Sequence, residues 1–320
     1  MDTSTLIFAV LLTTTMYGAL GSGLQSFNVV DYGANNDGKT DCTAAFLGAW
    51  EKVCRSSNPA RLYVPAGKFL LNRVDFTGPC NNRNILVSIE GTLMAPSDYK
   101  GLGGSDYWIL FQNVDGVTIS GGVLDGQGSS LWACKDRSNN KCPTGARTLT
   151  FQSSKNIQIN GLTSLNSQLF HIVFGHCLNV KVSNVKVSAP GNSPNTDGIH
   201  VQSSSGVTIV NSKVSTGDDC VSVGPGVRDL WIENFECGPG HGISVGSLGK
   251  DTIEEGVQNV TVKSVTFTNT DNGVRIKSWG RPSTGFANNI LFQHISMNNV
   301  RNPIIIDQNY CPHSLNCPGQ

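Results

Sequence analysis

Seven times along the chain, a Gly, Asn or Asp introduces a short run that alternates apolar and polar residues. The runs are Gly116-Val117-Thr118-Ile119, Asn156-Ile157-Gln158-Ile159, Asn179-Val180-Lys181-Val182, Gly206-Val207-Thr208-Ile209, Asp229-Leu230-Trp231-Ile232, Asn259-Val260-Thr261-Val262 and Asn289-Ile290-Leu291-Phe292. After a first long step, matching positions fall 23, 27, 23, 30 and 30 residues apart. Period-two alternation over so few residues reads as a strand, and strands this short cannot bury their apolar face alone. Stacking successive turns of a coil buries them against one another, and unequal steps fit turns that carry loops of different length. The economical architecture is an all-β solenoid, a parallel β-helix, with Asn and Gly at the corners where the backbone turns sharply. A propeller or sandwich is the competing reading, but hairpin spacing and a blade signature are lacking. One amphipathic helix is predicted, near Asp41 to Val53, as a cap over the first coil. Composition agrees: 36 Gly and a 38% apolar content rich in Val and Ile suit many short strands between tight turns.

The first residues carry a different signal. Residues 5 to 20 contain no charged side chain and are followed by Gly21, Ser22 and Gly23. That layout predicts a secretory signal peptide over 1–23, which leaves 24–320 for a single parallel β-helix domain, with an n-region that unusually lacks Lys and Arg. No second long apolar run exists, so no membrane span is expected in the mature form, and a formal net charge of zero argues against nucleic acid as partner. Ten cysteines without zinc-type spacing suit disulfides in an oxidising compartment. Cys134–Cys142, Cys220–Cys237 and Cys311–Cys317 are candidate short-range staples, although spacing alone does not fix connectivity. Asn259-Val260-Thr261 is the single glycosylation sequon, consistent with secretion.

Coil spacing also tests which polar residues can meet. Asp197 lies in Asn195-Thr196-Asp197-Gly198, Asp218 and Asp219 in Gly217-Asp218-Asp219-Cys220, His241 in Gly240-His241-Gly242, and Arg275 and Lys277 in Arg275-Ile276-Lys277. The steps are 21 from Asp197 to Asp218, 22 from Asp219 to His241 and 34 from His241 to Arg275, each close to one coil or one coil with a loop. Adjacent turns stack about 4.8 Å apart, so all six side chains can share one face. Hydrolysis of a glycosidic bond needs an acid for the leaving oxygen and a base for water. Three crowded carboxylates cannot all stay ionised cheaply, so at least one retains a proton and is the natural acid. Arg275 and Lys277, at i and i+2, point the same way and form a clamp suited to a substrate carboxylate. Taken singly, Asp-Asp reads as a solvated turn, Gly-His-Gly as a turn and Arg-x-Lys as surface. Their common register is what makes them a site, with an acidic polysaccharide as substrate.

In order and spacing these four elements resemble the signature of the polygalacturonases, and the resemblance extends from about Phe27 to the end of the chain. It implies a right-handed parallel β-helix, hydrolysis of α-1,4-galacturonan in pectin by an inverting mechanism, and no metal or organic cofactor. It further implies that Asp218 is the general acid, that Asp197 and Asp219 hold the attacking water, and that His241 supports the acid. Asn195, Arg275 and Lys277 would bind substrate together with Tyr310, which matches the family's Tyr after the Arg/Lys strand. Gly121-Gly122-Val123-Leu124-Asp125-Gly126-Gln127-Gly128 and Asn302-Pro303-Ile304-Ile305-Ile306-Asp307-Gln308 are similar to the plant branch, above all the pollen exopolygalacturonases. Exo action, a monomer and a secreted, cell-wall location are the corresponding expectations. Members of the family usually continue for several coils past the Tyr, so the resemblance implies C-terminal coils missing after Gln320. Two other readings compete: an inactive truncated pectin-binding β-helix, and a glycosidase for branched pectin.

Overall fold

The computed structural model describes residues 23–102, 104–137 and 142–312. The segment read as a signal peptide therefore lies outside the described residues, apart from Gly23, and so does Cys317.

Parallel strands stack into two sheets of 16 and 9 strands. The pairing follows the sequence repeat. Val117, Ile157, Val180, Val207, Leu230, Val260 and Ile290 stand in one column, each bonded in register to the next. The column extends three coils further toward the N-terminus than the seven runs suggested, through Ile85, Ala60 and Gln25. In the earlier coils the large sheet holds two separate strands per turn. From Ser205–Ser215 onward these merge into single strands of 10 to 12 residues. The corners are held by Asn in the left-handed region, including Asn156, Asn179, Asn259 and Asn289 at φ between 52° and 58°. Asn tolerates that conformation because its short amide bonds locally. Asn289 Nδ2 donates to Asn259 Oδ1 at 2.9 Å and Asn259 Nδ2 donates to Asp229 Oδ1 at 3.0 Å, a ladder that includes the sequon asparagine.

Inside the coil, equivalent apolar residues lie one above another. Phe76, Phe111, Phe151 and Phe174 follow in register, with ring centroids 4.8 to 5.7 Å apart. The helix predicted near Asp41 to Val53 spans Thr43–Arg55 and buries Phe46, Ala49, Trp50 and Val53. Its Trp50 packs on Phe76 and Phe111, which closes the first coil. A second helix, Ser129–Asp136, was not expected from sequence. Eight residues burying only Leu131 give no readable helical stripe. Disulfides join Cys134 to Cys142 and Cys220 to Cys237, as the spacing allowed, and a third joins Cys54 to Cys80. Cys311 is disulfide-bonded, while Cys42 and Cys177 are buried thiols. No helix among the described residues is long and apolar enough to cross a membrane.

Candidate active site

The nine-strand sheet positions the polar cluster. Its strands Ile199–Gln202, Val221–Val223, Ile243–Leu248 and Asn272–Ser278 stack with Ile199, Val221, Ile243 and Val274 in one inward column. The turns that enter them carry Asp197, Asp219 and His241, each two residues before its column member, so register brings them together. Asp218, one residue earlier, stands beside Asp219. Alternation along Asn272–Ser278 sends Val274 inward and Arg275 and Lys277 to the opposite face, as i and i+2 require.

All eight sequence-predicted residues converge here. Asp219 is almost fully buried, and its carboxylate is held by three groups at once. Arg275 Nη2 donates to Oδ1 at 2.8 Å, Ser244 Oγ to the same oxygen at 2.8 Å, and Lys277 Nζ to Oδ2 at 3.0 Å. Both cations therefore lie on Asp219 rather than standing free as a clamp, because a buried carboxylate demands compensating charge. Asn195 Nδ2 donates to Asp218 Oδ2 at 3.3 Å, and His241 Nδ1 meets Asp218 Oδ1 at 3.1 Å. The Lys277 ammonium lies 5.2 Å from the centre of the Tyr310 ring. Four neighbours carried no signal of their own: Ser222, Ser244, His200 and Asp271. His200, Ser222, Ser244 and Arg275 form one outward column, so register would have found three of them once the turns carrying Asp197, Asp219 and His241 were aligned. Asp271 Oδ2 lies 3.5 Å from His241 Nε2, on the side away from Asp218.

The three carboxylates are electrostatically distinct. Burial pushes the Asp197 carboxyl well above the usual carboxylate range, and the charges of Asp218 and Asp219 act in the same direction. Burial also acts to raise Asp218, but its hydrogen bond to His241 and the imidazolium charge outweigh burial and hold it low. The same hydrogen bond raises His241. Burial lowers His200 to about 4, so it is a neutral ring at ordinary pH, with Nδ1 2.8 Å from Ser222 Oγ. Of the three carboxyls, Asp197 is thus the one pushed toward holding a proton in the free protein.

This has a measurable cost. Asp197 binds its proton more tightly folded than unfolded, so its stabilising contribution is complete below about pH 3.9 and fades as pH rises through the raised value. Asp197→Asn, neutral at every pH, should melt at least ~2 °C above wild type at pH 7, with the gap closing toward pH 4. Thermal unfolding at both pH values checks this; a gap independent of pH contradicts the raised carboxyl.

The profile of the glycosyl hydrolases family 28 matches residues 54–318. The chain belongs to that family. A shorter match, to the rhamnogalacturonase A/epimerase, pectate lyase-like group, covers residues 26–75. Among curated proteins, a polygalacturonase of Prunus persica is 61% identical over 315 residues, 98% of this chain and 79% of the relative. An exopolygalacturonase of Platanus acerifolia is 45% identical over 297 residues, 91% of this chain and 78% of the relative. Among solved structures, the endo-xylogalacturonan hydrolase of Aspergillus tubingensis superposes with a TM-score of 0.81 at 26% identity, covering 89% of this chain and 77% of that one. The polygalacturonase of Erwinia carotovora gives 0.76 at 26% identity, covering 90% and 81%. The family 28 chain is thus a glycosyl hydrolase built on a parallel β-helix, as the repeat and the site residues anticipated.

Proposed function

We propose that this family 28 chain hydrolyses α-1,4-galacturonosidic bonds of polygalacturonate with inversion, acting from chain ends outside the cell. The observation that carries the reading is the cluster of Asp197, Asp218 and Asp219 with Arg275 and Lys277 bonded to Asp219, which joins acid–base chemistry to cations suited to a uronate. Asp218 gives its proton to the leaving oxygen, while Asp197 and Asp219 hold the attacking water. His241 orients Asp218, and Asn195, Arg275, Lys277 and Tyr310 grip the sugar. Asp218 is held ionised in the free protein. Bound sugar would exclude the water that still reaches it, and a galacturonate carboxylate would draw the nearby cations away; both changes raise Asp218 toward the protonated form the acid needs. The likeness to the Prunus persica polygalacturonase supports the substrate, and that to the Platanus acerifolia exopolygalacturonase supports the exo mode. The disulfides support an oxidising, extracellular setting.

A second reading is favoured by the structural likeness to a xylogalacturonan hydrolase: a branched pectin as true substrate. Reducing-sugar release from polygalacturonate and from xylogalacturonan, with product lengths followed from the first minutes, separates them. Monomer alone from polygalacturonate is the expected result; faster release from the branched polymer overturns the substrate assignment, and an early ladder of oligomers overturns exo action. Inversion is checked by the anomer first formed, which should be β. Activity should follow a bell on the acidic side, since one carboxyl must be protonated and another ionised. A flat profile from about pH 4 to 8 is incompatible with that division of roles.

A further inference from the structure

The cations of the site all lie toward one end of the row of carboxylates. Along the coil axis the order is Asp197, then Asp218 and Asp219, then His241, then Arg275 and Lys277. On the opposite flank the helix Ser129–Asp136 and the loop before Asn195 enclose a recess of about 330 Å³. Trp132, Lys135, Asn192, Ser193 and Pro194 line it.

Three features distinguish it from an ordinary surface hollow. Lys135 is half-buried, and burial lowers its pKa. Among the described residues its ammonium makes one hydrogen bond, to the Thr144 carbonyl oxygen at 2.8 Å, which leaves two donors. Asp136 on the same rim is exposed and forms no ion pair with it among the described residues. Trp132 is the second feature. Its ring packs where a Cβ on Gly128 would stand, 2.8 Å from Cε2, so the backbone holds the indole in place in the wall of the recess. The third is coupling to the chemistry. Ser193 Oγ lies 2.6 Å from Thr196 Oγ1, which accepts from the Gly217 amide at 3.1 Å, and Asn195 reaches Asp218. One wall of the recess is therefore bonded to the turns that carry Asp197 and Asp218.

We propose that this recess is a second uronate-binding site, in which Trp132 stacks on a sugar ring and Lys135, with the Asn192 amide, takes its carboxylate. It rests on the polygalacturonate reading above and extends it to a residue of the polymer remote from the scissile bond. The helix stands in the turn before the strand Arg147–Gln152, two coils or about 10 Å along the axis from the coil of Ile199–Gln202, and the recess spans from it to Asn192–Pro194 in Asp197's own turn. An aromatic ring and an ammonium with donors to spare among the described residues are what an anionic sugar requires.

The test compares Lys135→Gln and Trp132→Ala with wild type on digalacturonate, longer galacturonate oligomers and polygalacturonate. The ratio of kcat/KM for long substrates over the dimer should fall at least tenfold in each variant, and Lys135→Arg should restore most of it. An equal loss at every length, or no loss at any, overturns the proposal. A second arm measures equilibrium binding of polygalacturonate with Lys135→Gln placed in an Asp218→Asn background. Weaker binding than Asp218→Asn alone supports the recess, and equal binding refutes it, even if wild type turns over no polygalacturonate and the functional reading fails.

Discussion

Asp218→Asn should lower kcat on polygalacturonate about a hundred- to ten-thousandfold, the usual worth of a positioned general acid. Asn keeps the shape of the side chain and can still meet Asn195 and His241, so unfolding should change little and KM should hold. The informative comparison uses an aryl galacturonide whose leaving group needs no proton. If Asp218 is the acid, that substrate recovers most of the lost rate in Asp218→Asn, while Asp197→Asn and Asp219→Asn stay slow. The electrostatics of the free protein make this a real contest, because burial pushes Asp197 toward its protonated form while His241 favours the ionised form of Asp218. Rescue of Asp197→Asn instead would exchange the two roles. Equal reducing-sugar release from wild type and Asp218→Asn would remove the hydrolase mechanism altogether.

Phe151→Ala should cost about 3–5 kcal/mol of stability, the range for deleting a buried Phe in a core that cannot collapse. Phe151 is wholly buried, and its ring lies 4.9 Å from Phe111 and 5.7 Å from Phe174, nearly parallel to both. Strands bonded above and below fix the coil spacing, so the cavity has little room to close. Against a typical total of about 5–15 kcal/mol, that loss is a large fraction. Phe151→Leu, which keeps most of the volume, should cost under about 2 kcal/mol. Chemical denaturation of the three proteins checks both values; a Phe151→Ala midpoint close to wild type would mean that the stack is not a principal source of cohesion.

The repeat was legible because a solenoid writes its register into sequence. Val117, Ile157, Val180 and their successors are each preceded by the corner residue that the left-handed turn requires. Of the earlier coils, Ala60–Val64 follows Pro59 rather than a Gly, Asn or Asp and so carried no such mark, whereas Ile85–Ile89 does follow Asn84 and was open to the same reading. Helix Ser129–Asp136 was missed because it buries a single large residue and owes its place to a disulfide and to Gly128 rather than to an apolar stripe. Within the site, coil spacing sufficed to join Asp197, Asp218, Asp219 and His241. The division of labour among them was less legible. Which carboxyl keeps the proton depends on burial and on a hydrogen bond to His241, and neither is written in spacing. Nor does spacing reveal that Arg275 and Lys277 lie on Asp219, since partners depend on side-chain reach, not register.

The stacked strands have one more consequence, for how such an enzyme can change. The carboxylates, the imidazole and the cations of the site sit on successive rungs of a ladder whose spacing hydrogen bonding sets, so the separations among them come in whole rungs. Gradual mutation cannot slide one group relative to another by a fraction of a sugar. It can only replace a side chain on a rung, insert or delete a rung, or alter the loops at either flank. Substrate preference in this architecture should therefore diverge at the groove's ends and walls, while the reacting centre stays metrically frozen.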